Sequence, residues 1–271
     1  MTAIAPSKRR RPEIFGVQSA SARRRATLAA VSLATVLAIW MGLTEFGIVN
    51  TVLVPSPGDV FRAALAAIRD GSLLRNALAS LLRVLEGFTL ALVIAVPLGV
   101  LMGVSGNARG LVEPLIELLR PIPPIAFIPL AILWFGIGEF SKLYLIFLAI
   151  FAPLAIAARS GVRSVSTEQI HAAYSMGATR SQVIWHVILK SALPEIFTGM
   201  RIGIGVGWTT LVAGEMVASN RGLGFMVLNA AEFLASDVVI MGIIVIGLFA
   251  FSFDVLMRYL EKVLVPWKGK V

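Results

Sequence analysis

Apolar runs near the roughly 20 residues of one bilayer crossing recur along this chain, separated by short polar stretches. Read as helices, they predict six membrane spans: about Ala26 to Leu43, Val84 to Val104, Ile125 to Ile137, Leu143 to Ala158, Ile196 to Ala218 and Val238 to Met257. The third is the shortest. It follows Pro121-Ile122-Pro123-Pro124, and consecutive prolines cannot continue the helix expected from about Leu111 to Arg120. This proline run is either a plain turn or a hinge that sets an inner gate. Pro97 and Pro153 fall inside predicted spans, where neighbouring helices can re-satisfy the freed backbone groups. Pro194-Glu195 fits the first turn of the fifth span, with Pro where the amide is unbonded and Glu at the positive dipole end.

Between Thr167 and Pro194 the apolar pattern breaks off into two short capped helices around one glycine. Ser166-Thr167-Glu168-Gln169 is a capping box that opens the first, and Gly177 suits a left-handed position at its end. Thr179-Arg180-Ser181-Gln182 is a second capping box, whose helix runs to about Leu189. Val183, Ile184, Val187 and Ile188 give that helix an apolar side able to pack on the membrane helices. The Ala172-Ala173 pair is small enough to let a partner approach closely. A helix–Gly–helix elbow of this kind predicts a docking element, in contrast to an ordinary amphipathic loop helix.

Composition agrees with the span pattern. The 271 residues are 58% hydrophobic and 14% charged, and mean hydropathy is +0.87, which places the chain among integral membrane proteins. The net charge of +9 comes from basic residues at helix ends and not from a groove with interleaved aromatics, so nucleic acid is not the expected partner. The absence of cysteine excludes disulfides, thiolate metal sites and cysteine catalysis. Two histidines far from any carboxylate pattern argue against a protein-built metal site. With the N-terminus placed in the cytoplasm, 18 of the 24 Lys and Arg fall on the inner side. That bias predicts both termini, and the elbow, to be cytoplasmic. The basic segment before Ala26 reads as an anchor and not as a cleaved signal.

The chain lacks Gly-x4-Gly-Lys-Ser/Thr, so it has no phosphate-binding loop of that type. Gly203-x-Gly205-x-Gly207 lies inside an apolar helix with no preceding strand, which predicts close helix packing and not a dinucleotide site. Glu113, Glu117 and Arg120 share one helical face and read as a solvated charged surface. Ionisable groups inside spans are costly in lipid and therefore mark candidate path or gate residues. Arg201 either snorkels to the inner surface or faces the path. Asp254 and Arg258 are spaced for a local ion pair. Glu215 either caps the amides of the Gly-rich turn after Arg221 or belongs to an outer gate. Trp208, Thr209 and Thr210 either line a polar path or, for the threonines, bond back to their own helix.

Ala172-Ala173-x3-Gly177-x9-Val187-x-Leu189 resembles the Glu-Ala-Ala…Gly…Ile-x-Leu-Pro loop of ABC importer permeases. His171 stands where that family usually has Glu, and Lys190 where it usually has Pro. Leu118-Leu119-Arg120-Pro121-Ile122-Pro123-Pro124, Trp134-Phe135-Gly136-Ile137-Gly138, Phe151-Ala152-Pro153 and the run from Trp208 to Glu215 resemble the nitrate/sulfonate/taurine branch. Arg221 to Val227 with Glu232-Phe233-Leu234 looks most like its taurine permeases. The likeness covers roughly Val54 to Lys268.

The resemblance implies an all-α membrane protein with the six-span fold of type I (MetI-like) ABC importer permeases. It implies a homodimer in a bacterial inner membrane, two cytoplasmic ABC ATPases that bind ATP and Mg, and a soluble periplasmic substrate-binding protein. No cofactor is expected in this chain. His171, Ala172, Ala173, Met176, Gly177, Ala178 and Thr179 would form the ATPase-coupling surface. The expected layout is a basic cytoplasmic tail over 1–25, a first span with periplasmic connector over 26–74, a permease core over 75–260 with its coupling loop at 163–194, and a cytoplasmic tail over 261–271. The cargo implied is a small sulfonate, taurine first, with alkanesulfonate, nitrate or a pyrimidine-type vitamin precursor as alternatives. An ion-coupled secondary transporter would instead require mid-membrane coupling residues and an inverted repeat, neither of which is clear in the sequence. An intramembrane enzyme would need a nucleophile–base or metal pair, hard to build without Cys or a span His.

Overall fold

The computed structural model describes residues 22–267, so the basic tail before Ala22 and the last four residues lie outside the described part. Along the chain it forms α1 (Ala22–Glu45), α2 (Pro57–Arg69), α3 (Ser72–Val104), α4 (Gly106–Leu119), a 3-10 turn (Pro124–Phe127), α5 (Ile128–Phe135), α6 (Glu139–Arg163), α7 (Thr167–Ser175), α8 (Arg180–Gln182), a π turn (Val183–Ile188), α9 (Leu189–Ala218), α10 (Leu223–Glu232) and α11 (Ser236–Leu264).

The centre of the molecule is α6, packed between α3 and α9. Ile146, Ile150, Leu154, Ala155 and Ala158 of α6 are fully enclosed, against Val84, Ala91 and Ala95 of α3 and Ile196, Ile204 and Leu211 of α9. Small residues make that approach possible, because association in lipid depends on close packing more than on hydrophobic burial. A methyl group placed on Gly203 or Gly207 would lie 2.9 Å from Ile150 side-chain atoms, and Gly199 abuts Ala157. Gly205 faces open space. The packing stripe is therefore Gly199-x3-Gly203-x3-Gly207, at helical period, and not the alternating 203/205/207 set.

Among the described residues five helical segments are long and apolar enough to cross a membrane: Ala26–Glu45, Ser72–Val104, Glu139–Arg163, Arg180–Ala218 and Ser236–Leu264. The expected third span is not one straight helix. Its apolar run is a 3-10 turn and the eight-residue α5, too short alone for the roughly 30 Å core. Together α4 and the Pro124–Phe135 segment pass as a sixth, bent by 88° at the prolines. The bend follows from Pro121, Pro123 and Pro124, which supply no amides to an α-helical ladder.

The fifth span also starts earlier than Ile196. Arg180–Ala218 is continuous over 39 residues, because the π turn joins α8 to α9 without a break. Pro194 thus lies inside the helix and not in its first turn. The Thr198 hydroxyl donates to the Pro194 carbonyl at 3.0 Å. By contrast α1 stands apart: none of its most apolar window is buried inside the chain. Near its C-terminal end Trp40 Nε1 donates to the Pro55 carbonyl at 3.0 Å.

Candidate functional site

Three features of the described residues can carry function: the elbow at one end of α9, a cavity beside its first half, and an ionic knot at its other end.

The elbow forms as capped. Ser166 Oγ accepts from the Gln169 amide at 3.3 Å, but only the second box closes reciprocally. There Thr179 Oγ1 accepts from the Gln182 amide at 3.4 Å and Gln182 Oε1 accepts from the Thr179 amide at 2.8 Å. Gly177 turns the chain at φ +83°, a left-handed value that glycine adopts at no steric cost. The Gly177 amide donates to Tyr174 O at 2.9 Å and the Ala178 amide to Ala173 O at 3.1 Å, which closes the first helix. At its start, the Glu168 carboxyl is held below its ordinary range by its own backbone amide and then by the Ser166 hydroxyl.

Of the expected coupling residues, His171, Ala172, Met176, Gly177 and Thr179 are exposed, and Met176 projects at 83% exposure. Ala178 is half-buried, and Ala173 is buried beneath the elbow. Val183 and Ile188 are buried, and Ile184 and Val187 half-buried, so the second helix is seated on the membrane domain. A groove of about 430 Å³ runs along the joint between Met176, Gly177 and Ala178 on one side and Gln182, His186 and Val187 on the other. An exposed methionine over a rigid, polar-rimmed groove is suited to a protein partner.

A cavity of about 390 Å³ lies where the proline bend, α6 and α9 meet. Its α9 side is Glu195, Thr198, Gly199, Ile202 and Val206, one helical stripe. Its α6 side includes Phe151, Pro153 and Ser160, and its third wall is Leu119, Arg120, Ile122, Pro124 and Phe127. Most of this lining is apolar, with Arg120 and Glu195 the two charges. None of Arg201, Trp208, Thr209, Thr210 or Glu215 borders it. The stripe starting at Glu195 is readable as a helical period, but nothing in the local sequence says which stripe of α9 is left open by α6.

The five expected path or gate residues lie elsewhere on α9. Arg201 Nε donates to Asp254 Oδ1 at 2.7 Å, and Arg258 Nε donates to Asp254 Oδ2 at 2.7 Å, so the local pair on α11 also fastens α9. Trp208 is buried and stacks on Phe249 and edge-on to Phe253, with ring centroids 6.0 Å apart in both cases. Thr209 Oγ1 and Thr210 Oγ1 donate back to Gly205 O and Val206 O at 3.1 and 2.9 Å. Thr210 is buried and Thr209 exposed.

Glu215 is fully buried at the far end. It accepts from the Gly224 amide at 2.9 Å, from Ser80 Oγ at 2.8 Å and from Arg83 Nη1 at 2.7 Å. Arg83 also grips Glu139 in a two-pronged bond at 2.6 and 2.7 Å, and Lys142 Nζ reaches Glu139 at 3.1 Å. Arg83 Nη1 donates to the Arg221 carbonyl at 2.7 Å. The knot thus joins α3, α6, α9 and the turn before α10. Arg83 and Lys142 are among the six Lys and Arg that the charge bias leaves on the outer side. Both are buried, and the signal available was a lone cation one residue before an apolar run.

The sequence and the fold match known proteins. Residues 95–265 match the family described as binding-protein-dependent transport system inner membrane component. The chain is 47% identical over 253 residues to the taurine transport system permease protein TauC of Escherichia coli, covering 92% of each. It is 34% identical over 232 residues to an Escherichia coli protein named for aliphatic sulfonates transport, SsuC, covering 86% of this chain and 88% of that one. The fold is also that of a solved chain of the MetNI methionine ABC transporter in inward-facing conformation, with TM-score 0.57 and 22% identity over 69% of this chain and 95% of that chain. The described helices, the capped elbow and these likenesses agree: the chain is a multi-pass permease of the ABC importer type and belongs to the binding-protein-dependent transport system inner membrane component family.

Proposed function

We propose that this chain forms the membrane path of an importer for a small sulfonate, taurine first, and that two copies work with two cytoplasmic ATPases and a soluble substrate-binding protein in a bacterial inner membrane. Both termini and the elbow face the cytoplasm, and residues 75–260 form the permease core. ATP with its Mg is held by the partner ATPases. His171, Ala172, Ala173, Met176, Gly177, Ala178 and Thr179 make or support the docking surface.

The observation that carries this reading is the continuity of the elbow with the fifth span. A reciprocal capping box fixes the start of a helix that runs without a break from Arg180 to Ala218. Whatever moves the elbow therefore moves the cavity wall at Glu195 and Thr198 and pulls on the knot at Glu215. Closure of the ATPase dimer would swing this lever between two discrete packings, the usual means by which packed interfaces convert a local push into a gate. Cargo specificity follows the 47% identity to the taurine permease. The 34% identity to the aliphatic-sulfonate protein favours an alkanesulfonate as the second reading.

The test is uptake of labelled taurine by cells lacking their own system, supplied with this chain, its ATPase and its binding protein together. ATP-dependent uptake, lost when this chain alone is omitted, supports both role and cargo. Uptake of a competing alkanesulfonate without taurine moves the cargo. An assembled complex that carries neither sulfonate overturns the reading.

A further inference from the structure

The cavity beside α9 holds two opposite charges on separate elements. Arg120 sits at the C-terminal cap of α4, at the proline bend, and Glu195 sits on α9, one residue after Pro194. Both side chains are exposed, and neither has an ion pair or side-chain hydrogen bond with another described residue. Of the nearby charges, Glu113 is paired with Arg159 and approached by Arg109 at 3.8 Å. Arg120 also borders a smaller adjoining cavity with Glu113, Glu117 and Arg159, so it stands between the two spaces. Elsewhere the larger cavity wall is mainly aliphatic and aromatic, with Ser160 and Thr198 as hydroxyls. At about 390 Å³ it lies within the usual range for small-molecule sites.

We propose that Arg120 and Glu195 form a zwitterion-selective station on the inner half of the path, with Arg120 taking the sulfonate and Glu195 the ammonium of an amino sulfonate. The inference deepens the preceding section and rests on its reading of a small sulfonate cargo. The charge logic is direct. A plain monoanion in this cavity meets one attraction and one repulsion, which offset. A small zwitterion meets two attractions, beside a wall that is mostly apolar. Guanidinium donors match the oxygens of a tetrahedral oxyanion group, and a carboxylate accepts from an ammonium. The station is also built to let go. Glu195 rides the Arg180–Ala218 lever, while Arg120 belongs to the proline bend. Movement of the elbow changes the separation of the two charges, so a ligand bridging both is held in one packing and released in the other.

The experiment compares taurine uptake by the full importer carrying Arg120→Gln, Glu195→Gln, or the charge swap Arg120→Glu/Glu195→Arg, with copurification of the ATPase as the control for folding and assembly. Each single variant is expected to assemble as wild type and to lower taurine uptake about tenfold, the order of one lost charge-assisted hydrogen bond. The swap presents the same two charges in reverse and is expected to recover uptake to within about threefold of wild type, because a short zwitterion can turn round. Assembled single variants with wild-type uptake overturn the proposal. So does a swap no better than either single variant, since a merely structural or coupling role would not be rescued by reversal. If a single variant fails to assemble, the swap decides alone: assembled and active supports the pair, assembled and inactive refutes it. Absence of taurine uptake by the wild-type importer is a different failure, that of the cargo reading, and the station falls with it.

Discussion

Arg83 Nη1 donates to Glu215 Oε1 at 2.7 Å across 132 residues of sequence, with the Arg side chain 9% and the Glu side chain 0% exposed. Together with the Ser80 hydroxyl, this bond fixes the C-terminal end of α9 to α3. Through its other nitrogens Arg83 holds Glu139, so the start of α6 is tied to the same point.

Removing one partner of a buried ion pair leaves the other charge without its counter-ion. Arg83→Leu is therefore expected to destabilise the protein by about 3–5 kcal/mol. Glu215→Gln, which keeps an acceptor for the Gly224 amide, costs less. The double variant Arg83→Leu/Glu215→Gln is more stable than Arg83→Leu alone, because no buried carboxylate is then stranded. Denaturation of the purified chain in lipid discs, arranged as a double-mutant cycle, measures this. Equal losses for Arg83→Leu and the double variant would remove the stranded charge as the cause.

At the α6–α9 seam, Gly203→Val and Gly207→Val force side-chain atoms against Ile150 and are expected to cost about 1–3 kcal/mol each by overpacking. Gly205→Ala meets nothing within 4 Å and is expected to be neutral or to stabilise by about 0.5–1 kcal/mol, through lower chain entropy in the unfolded state. Thermal midpoints of the three variants, compared side by side, decide whether the packing stripe has a period of four or of two.

At the elbow, Gly177→Ala keeps the turn but places a Cβ at φ +83°, for about 1–2 kcal/mol of local strain. Gly177→Arg adds bulk to the exposed groove. It is expected to abolish copurification of the ATPase while membrane insertion and far-ultraviolet dichroism stay at wild-type level. Retained association would show that docking occurs elsewhere.

The two caps differ, and substitution should expose the difference. Thr179→Ala removes the acceptor for the Gln182 amide and the hydroxyl bond to Gln182 Oε1, leaves the backbone half of the box in place, and is expected to cost about 1 kcal/mol in elbow stability. Ser166→Ala removes a single cap bond, from the Gln169 amide, and costs less. Amide exchange at Gln182 and Gln169 reports each site separately.

The depressed carboxyl of Glu168 gives the first elbow helix a pH signature. A carboxyl whose pKa is lowered on folding stabilises fully above its unfolded value, near 4.5, and that stabilisation is lost as pH falls through the lower folded value. Exchange protection in α7 is expected to fall in that acid window, and Glu168→Gln is expected to remove the dependence. A wild-type profile flat through acid pH would show that the carboxylate contributes nothing there.

Much of this protein was legible from local chemistry. Long apolar runs can only be spans, since an unpaired backbone in lipid is costly, and this gave α1, α3, α6 and α11. Gly177 between two capping motifs gave the elbow, because a left-handed turn and a capped helix start are properties of four or five adjacent residues. What local chemistry cannot reach is which side of a helix a neighbour occupies. Pro194 reads as a helix start, yet the π turn carries α8 into α9 through it, since packing of Val183 and Ile188 on the membrane domain holds the segment helical. Trp208, Thr210 and Glu215 read equally well as path or core until α6 and α11 take their places. Burial of the Arg83–Glu215 pair joins groups more than a hundred residues apart. The stripe from Glu195 to Val206 stays open only because α6 covers a different side of α9, at Gly203 and Gly207. Sequence determined what each segment is, through spacing and composition within a few helical turns. Tertiary structure decided which faces meet and which charges are shared, because those contacts link positions far apart in the chain.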